Sequence, residues 1–304
     1  MFRKVRRQWL CLPILVTFMF SSLLLMRDEP VRVLVVSTET PKHVTKSMAQ
    51  LGRMDEINKF VLLLNPVPNC GGEILVFLLQ KMQGLNNYRH VRLKGGGVRR
   101  LNGRQQEEFV DKLYRVMREE AVPLSFDRQL LFVNFTTYDK QSPTYINIVR
   151  EPADKAISRS FYNNKNTDSD LIACLAKGKG NCEGRKVNPY QLTIPYFCGH
   201  DPKCMLDNQW ALQTAKNNVE KYYPVVGVLE ELNATLEVLE NEIPYFFKGV
   251  QGVYRKKMIS RFNRRKTSQP VTKTRKQLHR ILATEYDFYY WVKRRLFNQR
   301  QLFK

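Results

Sequence analysis

Four short apolar runs, each followed by a turn or by a helix signal, limit what this chain can fold into more than any other feature. They are Phe60-Val-Leu-Leu-Leu-Asn-Pro-Val, Leu130-Leu-Phe-Val-Asn-Phe, Tyr145-Ile-Asn-Ile-Val and Pro224-Val-Val-Gly-Val-Leu. Runs this short and this continuous read as strands buried on both faces. Between them the apolar spacing changes to that of helices. Ile74, Phe77, Leu78 and Met82 fall on one face of a helix over residues 73 to 82, and further helices are expected over 153 to 161, 210 to 222 and 230 to 242. A last helix, rich in aromatics, is expected from about residue 277 to the end. Strands that alternate with helices predict an α/β domain around a central, mostly parallel sheet.

The first thirty residues bear on the compartment. Arg3, Lys4, Arg6 and Arg7 precede an uncharged run over residues 9 to 26. At 1.5 Å per residue those 18 residues span about 27 Å, close to the thickness of an early secretory bilayer. The charge asymmetry predicts a single-pass type II protein with a cytoplasmic tail at 1 to 8, a signal-anchor at 9 to 26 and everything beyond it lumenal. Residues 27 to 59 are polar and suit a stem, which leaves 60 to 304 for a single domain.

An oxidising lumen gives the six cysteines a meaning. Cys174 with Cys182 and Cys198 with Cys204 read as two short-loop disulfides, and Cys70 stands alone. CxxC spacing and nearby histidines are missing, so no metal is expected. The sequons at Asn134 and Asn233 are candidate glycosylation sites. A formal charge of +22, from 50 Lys and Arg against 28 Asp and Glu, calls for an acidic partner. Composition alone does not choose among a nucleic acid, an anionic membrane and a sulfated polysaccharide.

The loop Asn65-Pro-Val-Pro-Asn-Cys-Gly-Gly follows the first strand and precedes a helix, the place where such folds bind anions. It lacks GxxxxGK[ST], so it is no ATPase motif. On pattern alone it reads as a simple turn rather than a site.

Several stretches, taken in order, narrow the reading. Tyr145-Ile-Asn-Ile-Val-Arg-Glu-Pro, Ile194-Pro-Tyr-Phe-Cys-Gly-His, Trp210-Ala-Leu with Ala215-Lys, Val226-Gly-Val-Leu-Glu-Glu-Leu and Tyr245-Phe-Phe-Lys-Gly-Val resemble the heparan sulfate and uronyl 2-O-sulfotransferase family, which includes the insect sulfotransferase pipe. The resemblance covers roughly residues 60 to 304. It implies a P-loop-like sulfotransferase fold in the Golgi membrane, with 3′-phosphoadenylyl sulfate as co-substrate. The acceptor it implies is a glycosaminoglycan rather than a nucleic acid: heparan, dermatan or chondroitin sulfate. It also implies a homotrimer, for which Tyr286-Asp-Phe-Tyr-Tyr-Trp-Val is a candidate contact, and it places both cysteine pairs where the family has disulfides.

The same resemblance assigns residues. Asn69, Cys70, Gly71 and Gly72 fall in the loop for the 5′-phosphosulfate, Arg150 and Ser158 on the 3′-phosphate, and Arg265, Lys266 and Thr267 in the segment that closes over the nucleotide. Three positions of the loop and one beyond it depart from the family pattern. Asn69 stands where the family has its Lys, Gly72 where it has Ser, and Pro66 where it has Arg, with Glu73 adding a negative charge. Gln129 stands at the position of the basic His, and an amide is no general base at neutral pH. Among the four histidines, His90 is the candidate substitute, and His200 has a structural or acceptor-side place. Three functions follow: an active glycosaminoglycan 2-O-sulfotransferase, a catalytically impaired relative that binds glycan or a partner, and a basic heparin-binding protein without a nucleotide site.

Overall fold

The computed structural model describes residues 56 to 93, 99 to 120, 123 to 161, 192 to 206, 208 to 257 and 272 to 303. The expected membrane span, the Cys174 and Cys182 pair and the Arg265, Lys266, Thr267 segment lie outside these residues. Among the described residues no helix is long and apolar enough to cross a membrane.

Five strands form one sheet: β1 (Ile57–Leu64), β2 (Arg89–Arg92), β3 (Leu124–Asp127), β4 (Ser142–Val149) and β5 (Val225–Val228). Their spatial order is β2-β3-β1-β4-β5 and every pairing is parallel. All eight residues of β4 and all four of β3 and β5 are buried, as strands covered by helices on both faces must be. The edge strand β2 keeps its Arg89 and Arg92 exposed. β1 begins at Ile57, inside the stretch read as stem.

The helices are α1 (Gly72–Met82), α2 (Gly103–Glu119), α3 (Pro152–Phe161), α4 (Gln209–Tyr222), α5 (Leu232–Glu242), α6 (Val250–Lys257), α7 (Thr272–Ile281) and α8 (Ala283–Gln301). α1 buries Ile74, Leu78 and Met82, three of the residues whose spacing announced it. Asn102 starts α2 with a capping box, accepting from the Gln105 N–H while the Gln105 side chain accepts from its own. The expected C-terminal helix is two, α7 and α8, parted at Leu282. A short 3-10 turn, Leu229–Glu231, occupies the start of the helix expected from 230.

One strand expectation fails. Residues 130 to 134 are extended but belong to no sheet, and a 3-10 turn, Phe135–Tyr138, follows them. The strand next to β1 is the shorter β3, six residues earlier. The run is apolar for another reason: it lies buried as irregular chain. Its Phe132 ring packs within 5.1 Å of both Tyr145 and Tyr222. Its backbone bonds outside the sheet, Leu131 N to Arg99 O at 3.2 Å and Phe132 N to Tyr196 O at 3.1 Å. Apolarity reports burial, and only backbone pairing makes a strand.

Candidate active site

Chain order places β2 and β3 on one side of β1, and β4 and β5 on the other. The crevice at the carboxyl ends of strands around such a switch is where open α/β sheets take ligands. Just past the end of β1 lies Asn65, a buried residue that gathers four segments. Its Nδ2 donates to Tyr196 O at 2.9 Å, while Asn147 on β4 donates to Asn65 O at 2.7 Å and to its Oδ1 at 3.1 Å. The Tyr223 hydroxyl donates to the same Oδ1 at 3.2 Å. The motif stretches around 145, 194 and 223 therefore meet at one buried polar knot, and the knot holds the start of the loop.

The loop turns through two left-handed residues, Asn69 at φ 60° and Gly71 at φ 82°. Asparagine tolerates that region and glycine prefers it. Gly71 is also hemmed in: a Cβ there would lie 2.6 Å from Leu229 Cδ1. α1 then begins without a side-chain cap, the Ile74 N–H donating to the Gly71 carbonyl at 2.9 Å. Cys70 points the other way, into the core. Burial pushes its thiol up to about 11, so it contributes backbone alone.

Pro66, Val67, Pro68, Asn69, Gly71 and Gly72 wall a cavity of about 400 Å³ that also reaches Glu73, Arg92, Asp127, Arg128 and Gln129. The loop and Gln129, assigned to the same chemistry by sequence, therefore share one space. Gln129 is exposed, and its amide oxygen accepts from Arg99 Nε at 3.2 Å. Arg150 follows β4 and donates to the Asn69 carbonyl at 3.3 Å, supporting the loop. It does not line that cavity, nor does Ser158, which is half-buried on α3.

His90 does not serve as a free base. Its side chain is 2% exposed, with Nε2 at 3.0 Å from Asp127 Oδ1 and Nδ1 at 2.8 Å from Ser125 Oγ. His200 is structural. Its Nδ1 accepts from Leu101 N–H at 2.9 Å just ahead of α2, and burial pushes it down to about 4. Arg92, Asp127 and Arg128 were missed from sequence. Arg128 sits over the Phe109 ring at 5.1 Å, its Nε buried without a partner among the described residues, and burial lowers its pKa. The signal available was their position, since Arg128 and Asp127 directly precede Gln129. Among the described residues no group of His, Cys, Asp or Glu is placed to hold a metal ion.

The Cys198–Cys204 disulfide closes across the one-turn helix Pro195–Cys198 and the 3-10 turn Pro202–Met205, with Cα atoms 5.6 Å apart. It steadies the segment whose Tyr196 carbonyl meets Asn65.

A parallel five-stranded sheet flanked by helices, with an uncapped helix start after its central strand, fits the sulfotransferase fold. No protein-family profile matches the chain. Individual proteins do. Human uronyl 2-sulfotransferase is 28% identical over 76% of this chain and 61% of its own length. The Drosophila melanogaster uronyl 2-sulfotransferase homolog pip is 29% identical over 78% of this chain and 52% of its own. Mouse heparan sulfate 2-O-sulfotransferase 1 is 26% identical over 82% of this chain and 74% of its own. The chain is thus similar, at 26 to 29% identity, to the uronyl and heparan sulfate 2-O-sulfotransferases.

Proposed function

We propose that this protein transfers a sulfuryl group from 3′-phosphoadenylyl sulfate to the 2-hydroxyl of a uronic acid in a glycosaminoglycan. The observation that carries the reading is the shared cavity: the loop after β1, Gln129 and the cations Arg92 and Arg128 enclose one space at the switch of the sheet. A phosphosulfate suits the N-terminus of α1, where backbone N–H groups and the helix dipole favour an anion. Arg150 supports the loop from behind, and Ser158, Arg265, Lys266 and Thr267 complete the nucleotide side by family resemblance. The +22 charge complements a sulfated chain. A type II Golgi membrane anchor at residues 9 to 26 would present the domain to such chains in the lumen.

The decisive assay is transfer of labelled sulfate by the full-length chain to a panel of desulfated heparan, dermatan and chondroitin sulfates. Incorporation at the uronic acid 2-position is the expected result. A second reading rests on Asn69, Gly72 and Gln129, which remove a cation, a hydroxyl and a base: a relative that binds nucleotide or glycan without turning over. Nucleotide binding with no transfer to any member of the panel selects it. Absence of nucleotide binding leaves the basic heparin-binding protein.

A further inference from the structure

Transfer to a hydroxyl needs a proton acceptor, and neither Gln129 nor the enclosed His90 supplies one. Asp127 has the only carboxylate besides that of Glu73 among the residues lining the cavity. Glu73 projects into solvent, its side chain 79% exposed, whereas the Asp127 side chain is 5% exposed. Asp127 ends β3, and strand alternation puts it on the same face as Ser125. The register of β2 sets His90 opposite Ser125 and Arg92 opposite Asp127. A continuous network results. Ser125 Oγ lies 2.8 Å from His90 Nδ1, His90 Nε2 lies 3.0 Å from Asp127 Oδ1, and Arg92 Nε donates to Asp127 Oδ2 at 3.2 Å. If the serine hydroxyl donates to Nδ1, the neutral imidazole holds its proton on Nε2 and donates it to the carboxylate. Both oxygens of Asp127 are thereby oriented, and of the network's members Asp127 and the cation Arg92 reach the cavity, so the carboxylate is the one there that can take a proton.

We propose that Asp127 takes the proton of the acceptor hydroxyl, with His90 and Arg92 as positioning residues. The inference rests on the sulfuryl-transfer reading above. In the step, the hydroxyl proton passes to an Asp127 oxygen and the freed oxygen bonds to sulfur. The bond from sulfur to the bridging phosphate oxygen breaks, and its electron pair leaves on adenosine 3′,5′-bisphosphate. Gln129 follows two residues later and lines the same cavity, so a histidine placed there would approach the same hydroxyl.

The test uses the full-length protein in detergent, with steady-state transfer and calorimetric binding of adenosine 3′,5′-bisphosphate as readouts. Asp127→Asn should lower kcat about 100-fold or more, the usual worth of a general base, and leave the nucleotide affinity within about threefold. Adding Gln129→His to Asp127→Asn should return at least about tenfold of the lost turnover, a rescue that a structural role for Asp127 does not allow. Asp127→Glu keeps the charge beside Arg92 but moves the carboxylate by one methylene. It should bind nucleotide normally and lose turnover about tenfold, which covers the case in which the Asn variant fails to fold. Full turnover in either single variant overturns the proposal, and so does loss in Asp127→Asn that Gln129→His leaves unrepaired. An unmodified chain that transfers no sulfate overturns the transfer reading and this inference together, whereas an active chain indifferent to Asp127 overturns the inference alone.

Discussion

Gly72 packs closely against Pro66. A Cβ on Gly72 would lie 2.5 Å from the Pro66 Cβ, inside any tolerable contact, and a proline ring cannot swing away. Any residue but glycine at position 66 keeps that Cβ, so a serine at 72 would meet it whatever side chain stood there. Gly72→Ser alone should destabilise the protein by about 1 to 3 kcal/mol, the usual cost of overpacking, and Pro66→Gly in the same chain, which removes the opposing Cβ, should recover part of it. A double-mutant cycle by urea unfolding reads this coupling; additive effects would show that the ring does yield. Asn69 carries a different constraint. Its φ of 60° suits asparagine, so Asn69→Lys sets a charge gain against backbone strain. A charge-assisted contact is worth roughly 1.5 to 3 kcal/mol, so the variant should bind adenosine 3′,5′-bisphosphate about tenfold or more tightly while losing about 1 kcal/mol of stability. Calorimetry and thermal unfolding on the same preparation measure both terms.

Among the elements, the sequence showed most clearly those whose burial and backbone pairing coincide. β4, wholly buried, and α1, with its regular stripe, were legible. β2 was not, because an edge strand reading Arg-His-Val-Arg has no apolar run to show. β3 was hidden by its neighbour, since Ser125 and Asp127 make its apolar content lower than that of the coil after it. The same two residues are half of the polar network at the cavity, so the element that escaped the pattern is the one that holds the candidate proton acceptor. The place of the loop between strand and helix was legible in the pattern, Gln129 was named only through resemblance, and their meeting in one cavity required the fold. The sequon residues separate at this scale as well. Asn134 caps the 3-10 turn, its Oδ1 accepting from Thr136 N at 3.2 Å and Thr136 Oγ1 at 2.7 Å, whereas Asn233 is exposed on α5. Asn134→Gln should cost about 1 kcal/mol through the lost cap. Asn233→Gln should leave stability within about 0.5 kcal/mol, as surface changes do. Glycopeptide mass mapping should find the glycan at Asn233, and an occupied Asn134 with a bare Asn233 would reverse that assignment.

Across the molecule, the half-buried His200 joins parts far apart in sequence and makes the stability of the fold depend on pH. Its Nδ1 accepts from Leu101 at the entry to α2, while its own segment is tied through Tyr196 to Asn65 just past the end of β1. Burial is the main reason its pKa falls to about 4, and the nearby Arg100 and Arg128 cations push the same way. An unfolded histidine titrates near 6.5. Since the folded value is the lower one, the unfolded chain takes up the proton first as pH falls. The contribution is therefore full above about pH 6.5, declines between 6.5 and 4, and is spent below 4. Its size is at most about 3 kcal/mol, a large part of the 5 to 15 kcal/mol that holds a typical domain together. Other groups titrate in the same range, so the comparison has to be with a variant that keeps the hydrogen bond. His200→Asn offers an amide oxygen to Leu101 N–H without an ionisable ring. The variant should be less stable than the original at pH 7, and the gap should narrow steadily as the pH is lowered to 4. Urea unfolding of both proteins at four or five pH values tests this, and a gap that stays constant would mean that His200 is protonated as readily in the folded protein as in the unfolded chain.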